Sequence, residues 1–205
     1  MQLITYPELD STNAEAKRLI MQGAIAPGCT TLILAETQTA GRGTQGRVWH
    51  SPQGGLYMTL VHVSGEALPW LEALHPPASV AMTLAAGIAC QQVVSEWLRD
   101  RNDPRTIVLK PINDLMLIDD VGVAAKTGGI LVETQLSPAG KLGAVMTGVG
   151  LNLGVLSAEM RADITQPAAG LGFDEAQDAT QSAAFKAQCA RQLAGRIEAW
   201  YAGLA

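Results

Sequence analysis

Strand-like and helical runs are segregated along this 205-residue chain, and that segregation is the strongest constraint on its fold. Four short apolar runs, Thr106 to Lys110, Leu115 to Ile118, Gly129 to Gln135 and Ala144 to Asn152, follow one another with only brief connections. Connections of this kind predict an antiparallel meander. Two earlier runs rich in apolar and β-branched residues, Thr30 to Thr37 and Leu56 to Val63, complete the set of strands. Helical patterns lie outside the meander. Over residues 12 to 22, Thr12 and Glu15 have capping-box spacing, Ala16, Leu19 and Ile20 share a face, and Gly23 provides the stop. Residues 77 to 99 carry Val80, Leu84, Ile88, Val94 and Leu98 in helical phase before the breaker DRNDP. Residues 183 to 203 do the same with Phe185, Cys189, Leu193, Ile197 and Trp200. Gly154 to Gln181 reads as irregular. Strands grouped between helices predict an α+β fold, with a mainly antiparallel or mixed sheet flanked by helices.

Composition narrows the class. With 48% hydrophobic and 16% charged residues the chain can bury a sizeable core, and no seam divides it, so residues 1–205 read as one domain. A formal net charge of -5 argues against a general nucleic-acid binder, which carries a basic face. The opening MQLITYPELD lacks the basic and apolar regions of a secretory signal. The longest apolar stretch, Ala78 to Cys90, is too short to span a bilayer core of about 30 Å at about 1.5 Å per residue. The expectation is a cytoplasmic protein that does not enter a membrane. Cys29, Cys90 and Cys189 are odd in number and widely spaced, which fits neither a disulfide framework nor a zinc site, and all three read as thiols.

The polar, glycine-rich segment from Gln38 to Gly55 joins two strand candidates, and loops of that length in compact domains are usually functional. It holds Gly41-Arg42-Gly43-Thr44-Gln45-Gly46-Arg47, then Trp49, Ser51-Pro52 and Gly54-Gly55. Glycines let the backbone approach an anion, and arginine offers a planar fork of donors matched to phosphate or carboxylate oxygens. On composition alone, a solvated loop with two surface arginines fits equally well. A Walker A loop is excluded, because no Gly-Lys-Ser/Thr closes the segment. Downstream, Lys110 ends a strand candidate and precedes Asn113-Asp114, while Lys126 stands just before Gly128-Gly129. A lysine at a strand end is ordinarily solvated, but two of the chain's five lysines in such apolar surroundings point to a ligand-facing role for at least one. The alternating run Gly148, Gly150, Asn152, Gly154 is not a dinucleotide fingerprint, since Leu153 occupies the place of the third glycine, and it reads as a closely packed strand.

The order and spacing of these segments, over roughly residues 9 to 154, resemble the biotin protein ligases. Ser11-Thr12-Asn13 resembles the family's Ser-Thr-Asn at the biotin pocket. Gln38 with Gly41-Arg42-Gly43 and Gly46-Arg47 resembles its glutamine and GRG...GR ligand loop, which Trp49, Ser51-Pro52 and Gly54-Gly55-Leu56 continue. Lys110 with Asn113-Asp114 resembles the family's K-W-P-N-D, Lys126 with Gly129-Ile130-Leu131 its K-x-x-G-I-L, and Asn152 the asparagine of its G-x-G-x-N. The resemblance implies attack of the biotin carboxylate on the α-phosphate of ATP, with Mg²⁺ carried on the nucleotide. Transfer from biotinyl-AMP to a lysine on the biotin carrier domain of a carboxylase would follow. It implies catalytic roles for Lys110, Arg42 and Arg47, with Lys110 the most important. Biotin contacts would come from Ser11, Thr12, Asn13, Gln38, Gly41, Arg42, Gly43, Trp49, Gly55, Lys110 and Gly129. Nucleotide contacts would come from Arg42, Arg47, Asn113, Lys126 and Asn152, with no protein ligands to a metal assigned. Ser11 and Thr12 also suit a helix N-cap, and both roles can hold at once. A homodimer joined at a sheet edge is a further family expectation.

Three features depart from the family pattern. Thr44 and Gln45 stand where a basic residue commonly follows GRG, which predicts weaker retention of the adenylate. Pro111-Ile112 replaces the Trp-Pro pair beside Lys110, which alters the expected adenine contacts. The chain as read also carries no N-terminal DNA-binding domain and no evident C-terminal barrel, so repressor activity is not expected. Two other functions compete with the biotin ligase reading: a domain that binds biotin or biotinyl-adenylate without transferring it, and a lipoate or octanoate ligase of related fold.

Overall fold

The computed structural model describes residues 1–66, 68–74, 78–154, 156, 167–173 and 179–204. Its frame is one mixed sheet of seven strands, with β1 at Gln2–Leu9, β2 at Thr30–Gln38, β3 at Leu56–Val63, β4 at Thr106–Lys110, β5 at Asp114–Ile118, β6 at Ala124–Leu136 and β7 at Leu142–Leu151. The strand order is β1-β2-β3-β7-β6-β5-β4. Only the β1–β2 pair is parallel, and β4 to β7 form the antiparallel meander anticipated from their short connections. The helices are α1 at Thr12–Met21, α2 at Pro69–Ala73, α3 at Ser79–Asp100 and α4 at Ala179–Ala202.

The two faces of the sheet are covered differently. Leu32, Leu34, Leu56, Met58, Leu60, Val145 and Val149 point to the face on which α3 and α4 pack, while Ile33, Val61 and Met146 point to the opposite face and meet Ala16 of α1. Cover on both sides explains why β3 is apolar at nearly every position instead of alternating. On the second face, α1 covers only part of β3 and β7. The rest of that face is closed by the Gln38 to Gly55 segment, and the space between becomes the cleft described below.

Several sequence expectations need correction. Val80 and Leu84 of α3 are exposed, and the buried face of that helix is instead built from Met82, Ala85, Ala86, Ala89, Cys90, Val93, Val94 and Leu98. Small side chains on this face let the helix approach the sheet closely; a Cβ on Gly87 would come within 2.8 Å of Leu109. Strand β1 and helix α2 were not anticipated, and β6 begins at Ala124, ahead of Gly129. Most of the stretch from Gly154 to Gln181, read as irregular, lies outside the described residues; within it, residues 167–173 run as an extended strap and Ala179–Ala202 is helical. Cys29 is exposed, whereas Cys90 and Cys189 are buried thiols, each pushed up to about 12 by desolvation. No described helix is long and apolar enough to cross a membrane.

Candidate active site

Residues Gln38 to Gly55 fold back as an ordered hairpin. Gln38 N–H donates to the Ser51 carbonyl at 3.0 Å, Trp49 N–H to Gly41 at 2.9 Å, and Gly43 N–H to Arg47 at 2.7 Å. The tip is a single 3₁₀ turn, Thr44–Gly46, where positive φ at Gln45 and Gly46 reverses the chain. At Gly41 an added Cβ would collide with the Trp49 carbonyl, so the narrow neck of this hairpin requires glycine.

The hairpin closes over β6 and β7. On β7, Gly148 lies beneath Asn13 and Gly150 beneath the Trp49 indole; a Cβ at Gly150 would stand 2.6 Å from Trp49 Nε1. The alternating glycines therefore form a floor on which α1 and the hairpin rest directly. The cleft encloses about 130 Å³ and is lined by Ser11, Thr12, Asn13 and Gln38 at one end and by Asn113, Lys126, Asn152 and Ala168 at the other, with Arg42, Arg47 and Trp49 overhead. From Gly148 to Asn152 the chain advances about 13 Å at strand rise, which separates the two ends of the cleft.

At the α1 end, Ser11 is the N-cap residue but its hydroxyl makes no capping hydrogen bond. The Thr12 N–H and hydroxyl both donate to Gln38 Oε1, at 2.8 and 3.2 Å, and Gln38 Nε2 donates to Ser51 Oγ at 2.7 Å. The helix start is thus satisfied from the hairpin, not by the Thr12/Glu15 capping box, and Glu15 instead accepts from Tyr6 and Arg18. The Ser11 hydroxyl is left for the cleft. Asn13 is largely committed to the scaffold: Oδ1 accepts from Thr59 at 2.6 Å and Nδ2 donates to Glu133 at 2.8 Å.

Two of the cleft cations, Lys126 and Arg42, are paired with carboxylates. Lys126, buried at 8% exposure, lies 2.6 Å from Asp114 and 5.3 Å from the Trp49 ring centre. Arg42 reaches Glu133 at 3.1 Å, and Arg47 donates to the Thr44 hydroxyl at 3.0 Å. Asn113 and Asn152 donate to the backbone carbonyls of Ile130 and Ala169. Of the residues singled out from sequence, Ser11, Thr12, Asn13, Gln38, Arg42, Gly43, Arg47, Trp49, Asn113, Lys126, Gly129 and Asn152 line this one cleft. Gly41 and Gly55 do not line it; Gly55 packs against Tyr57, and both shape the hairpin. Lys110 is exposed at the end of β4, opposite Asp114 in the β4–β5 register and outside the lining. Glu133 was missed, although period-2 alternation from Gly129 through Leu131 places it on the cleft face.

Fold and cleft together define an α+β architecture with one cleft that runs over a glycine floor from the Ser11, Thr12 and Gln38 cluster to Lys126 and Asn152. The family model for the biotin/lipoate A/B protein ligase family matches residues 26–152, and the chain belongs to that family. It is 36% identical over 147 residues to the biotin–[acetyl-CoA-carboxylase] ligase of Paracoccus denitrificans, covering 70% of this chain and 51% of that protein. To the bifunctional ligase/repressor BirA of Escherichia coli (strain K12) it is 32% identical over 173 residues, covering 82% of this chain and 47% of that protein. The chain thus spans about half the length of these curated relatives. Among solved structures, the Leishmania major biotin protein ligase in complex with biotinyl-5-AMP superposes with a TM-score of 0.64 at 22% identity, covering 99% of this chain and 74% of that one. The Aquifex aeolicus biotin protein ligase in complex with biotin and ATP gives 0.62 at 23% identity, covering 96% and 70%. These two likenesses establish the fold.

Proposed function

We propose that this chain activates biotin with ATP and passes it to a lysine of a biotin carrier domain. The observation that carries the reading is the single cleft in which the Ser11, Thr12 and Gln38 cluster faces Lys126, Asn113 and Asn152 across the glycine floor, under Arg42 and Arg47. Biotin occupies the α1 end, where the Ser11 and Thr12 hydroxyls and the Gln38 amide supply donors and acceptors for a ureido group. ATP occupies the Lys126 end. One oxygen of the biotin carboxylate bonds to the α-phosphorus, the bond from that phosphorus to the bridging oxygen breaks, and pyrophosphate departs with the electron pair. In the second step the lysine amine bonds to the acyl carbon, the acyl–oxygen bond breaks, AMP leaves, and the amine proton passes to solvent.

Negative charge grows on the phosphoryl oxygens during attack, and a cation already fixed at that place stabilises it without reorganising. Lys126 holds the central position because it lines the cleft from a buried site; Arg42 and Arg47 approach from the hairpin, and Lys110 contributes from the end of β4. Among the described residues no group of three or more His, Cys, Asp or Glu side chains is placed to hold a metal, and Asp114 and Glu133, behind the cleft lining, face Lys126 and Arg42. Mg²⁺ enters this proposal as the counterion of the nucleotide, and no step is assigned to it. The reading includes a cytoplasmic location and a homodimer formed along an outer strand, β1 or β4. The test is transfer: purified protein, ATP and a carrier domain are incubated with biotin, lipoate or octanoate. Amide-linked biotin on the carrier supports the proposal, and modification by lipoate or octanoate instead moves the chain to another branch of its family.

A further inference from the structure

The breaker stretch after α3 has a role that its sequence did not suggest. Asp103 holds the Arg105 guanidinium through two hydrogen bonds, at 2.8 Å to Nε and 2.6 Å to Nη2. The outer nitrogens of Arg105 then donate to the carbonyls of Gly170 at 3.2 Å and Leu171 at 2.8 Å. Arg101, one turn earlier, donates to Leu171 and Gly172 and lies 4.2 Å above the Phe173 ring. Both arginines thus grip the same strap, residues 167–173. Its other edge is bound to the cleft: Lys126 N–H donates to Pro167, Ala169 N–H to Lys126, Asn152 Nδ2 to Ala169, and Leu171 N–H to Asn152. The strap places Ala168 in the cleft wall beside Lys126 and Asn152.

We propose that Arg105, braced by Asp103, and Arg101 are positioning residues for the nucleotide end of the cleft, acting through the 167–173 strap. The inference rests on the assignment of ATP to the Lys126 end. A planar fork bonded to successive carbonyls fixes the register of an extended segment, and lysine cannot reproduce that geometry. A strap that slips takes Ala168 and the backbone partners of Lys126 and Asn152 with it. Biotin contacts lie at the far end of the floor and stay intact.

The experiment compares wild type, Arg105→Ala, Arg105→Lys and Arg101→Ala. Calorimetry measures binding of biotin, and then of an α,β-methylene ATP analogue to the biotin-saturated protein. Amide hydrogen exchange follows residues 167–173 in the free protein. Losing hydrogen bonds from a charged donor predicts analogue binding weakened about tenfold or more in Arg105→Ala, with biotin binding within about twofold of wild type and faster exchange in the strap. Unchanged exchange shows that the arginines do not hold the strap, and faster exchange with unchanged analogue affinity shows that the strap does not shape the nucleotide end; either result overturns the proposal. If Arg105→Ala does not fold, Arg105→Lys decides: selective loss of the analogue supports the clamp, and equal loss of both ligands or no loss overturns it. A wild-type protein that binds neither ligand overturns the functional reading and this proposal with it. A wild type that binds both, beside variants that bind both equally well, overturns the clamp alone.

Discussion

The Lys126 ammonium lies 2.6 Å from the Asp114 carboxylate, and both residues are less than a tenth exposed. A cation this well withdrawn from water depends on its partner, so removing only the carboxylate leaves an uncompensated charge. Asp114→Ala is expected to destabilise the fold by about 3–5 kcal/mol, and the double variant Asp114→Ala/Lys126→Met to recover much of that loss. Urea unfolding of the two variants and wild type provides the comparison; equal destabilisation of single and double variants would contradict the pairing.

The same lysine is the one proposed to meet the phosphate. Loss of one pre-organised donor to a developing charge costs about 2.7–4 kcal/mol, so Lys126→Ala is expected to slow biotinyl-adenylate formation about 10²–10³-fold while biotin still binds. Lys110→Ala should cost less, because that side chain is exposed and outside the lining. Single-turnover adenylate formation ranks the two, and a larger effect at Lys110 would restore the order that the motif resemblance favours.

That contrast shows what the sequence could and could not disclose. The meander, the two long helices and the distinct segment between β2 and β3 were legible, because hairpin connections, helical periodicity and a glycine-rich break are local signals. Which of two strand-associated lysines turns inward was not, since β4 and β5 pair in register at Lys110 and Asp114 while Lys126 reaches Asp114 from β6. Strand β1 was passed over because Pro7 and Glu8 interrupt its pattern, and its pairing with β2 joins residues about thirty apart in sequence. The exposed Val80 and Leu84 misled in the opposite direction: between Ala85 and Cys90 the buried face of α3 is alanine, glycine and cysteine, which weigh little in an apolar count. The Arg101 and Arg105 contacts depend on a distant strap and have no local signature.

Gly150→Ala tests the floor. An added Cβ would stand 2.6 Å from Trp49 Nε1, so the indole must shift and the hairpin with it. Overpacking of this kind costs about 1–3 kcal/mol. The expected outcome is a folded protein with weakened biotin and nucleotide binding and altered Trp49 fluorescence. Unchanged affinity for both ligands would show that the hairpin does not rest on Gly150 in solution.

Thr44 lines the cleft and holds Arg47 through its hydroxyl, where the family commonly has a basic residue. Adding a cation beside the adenylate phosphate contributes about 1.5–3 kcal/mol, so Thr44→Arg is expected to slow release of biotinyl-AMP roughly 10- to 100-fold. Release is followed by trapping the free adenylate from preloaded protein. Equal rates in wild type and variant would mean that Thr44 does not set retention.

Pyrophosphate exchange into ATP, run with biotin, lipoate, octanoate or no acid, reports the first chemical step of the proposed reaction and needs no acceptor protein. Exchange is expected to depend on biotin and to fall about 10²–10³-fold in Lys126→Ala. Exchange supported by lipoate or octanoate but not biotin, or no exchange by a protein that still binds biotin, would contradict the proposed reaction.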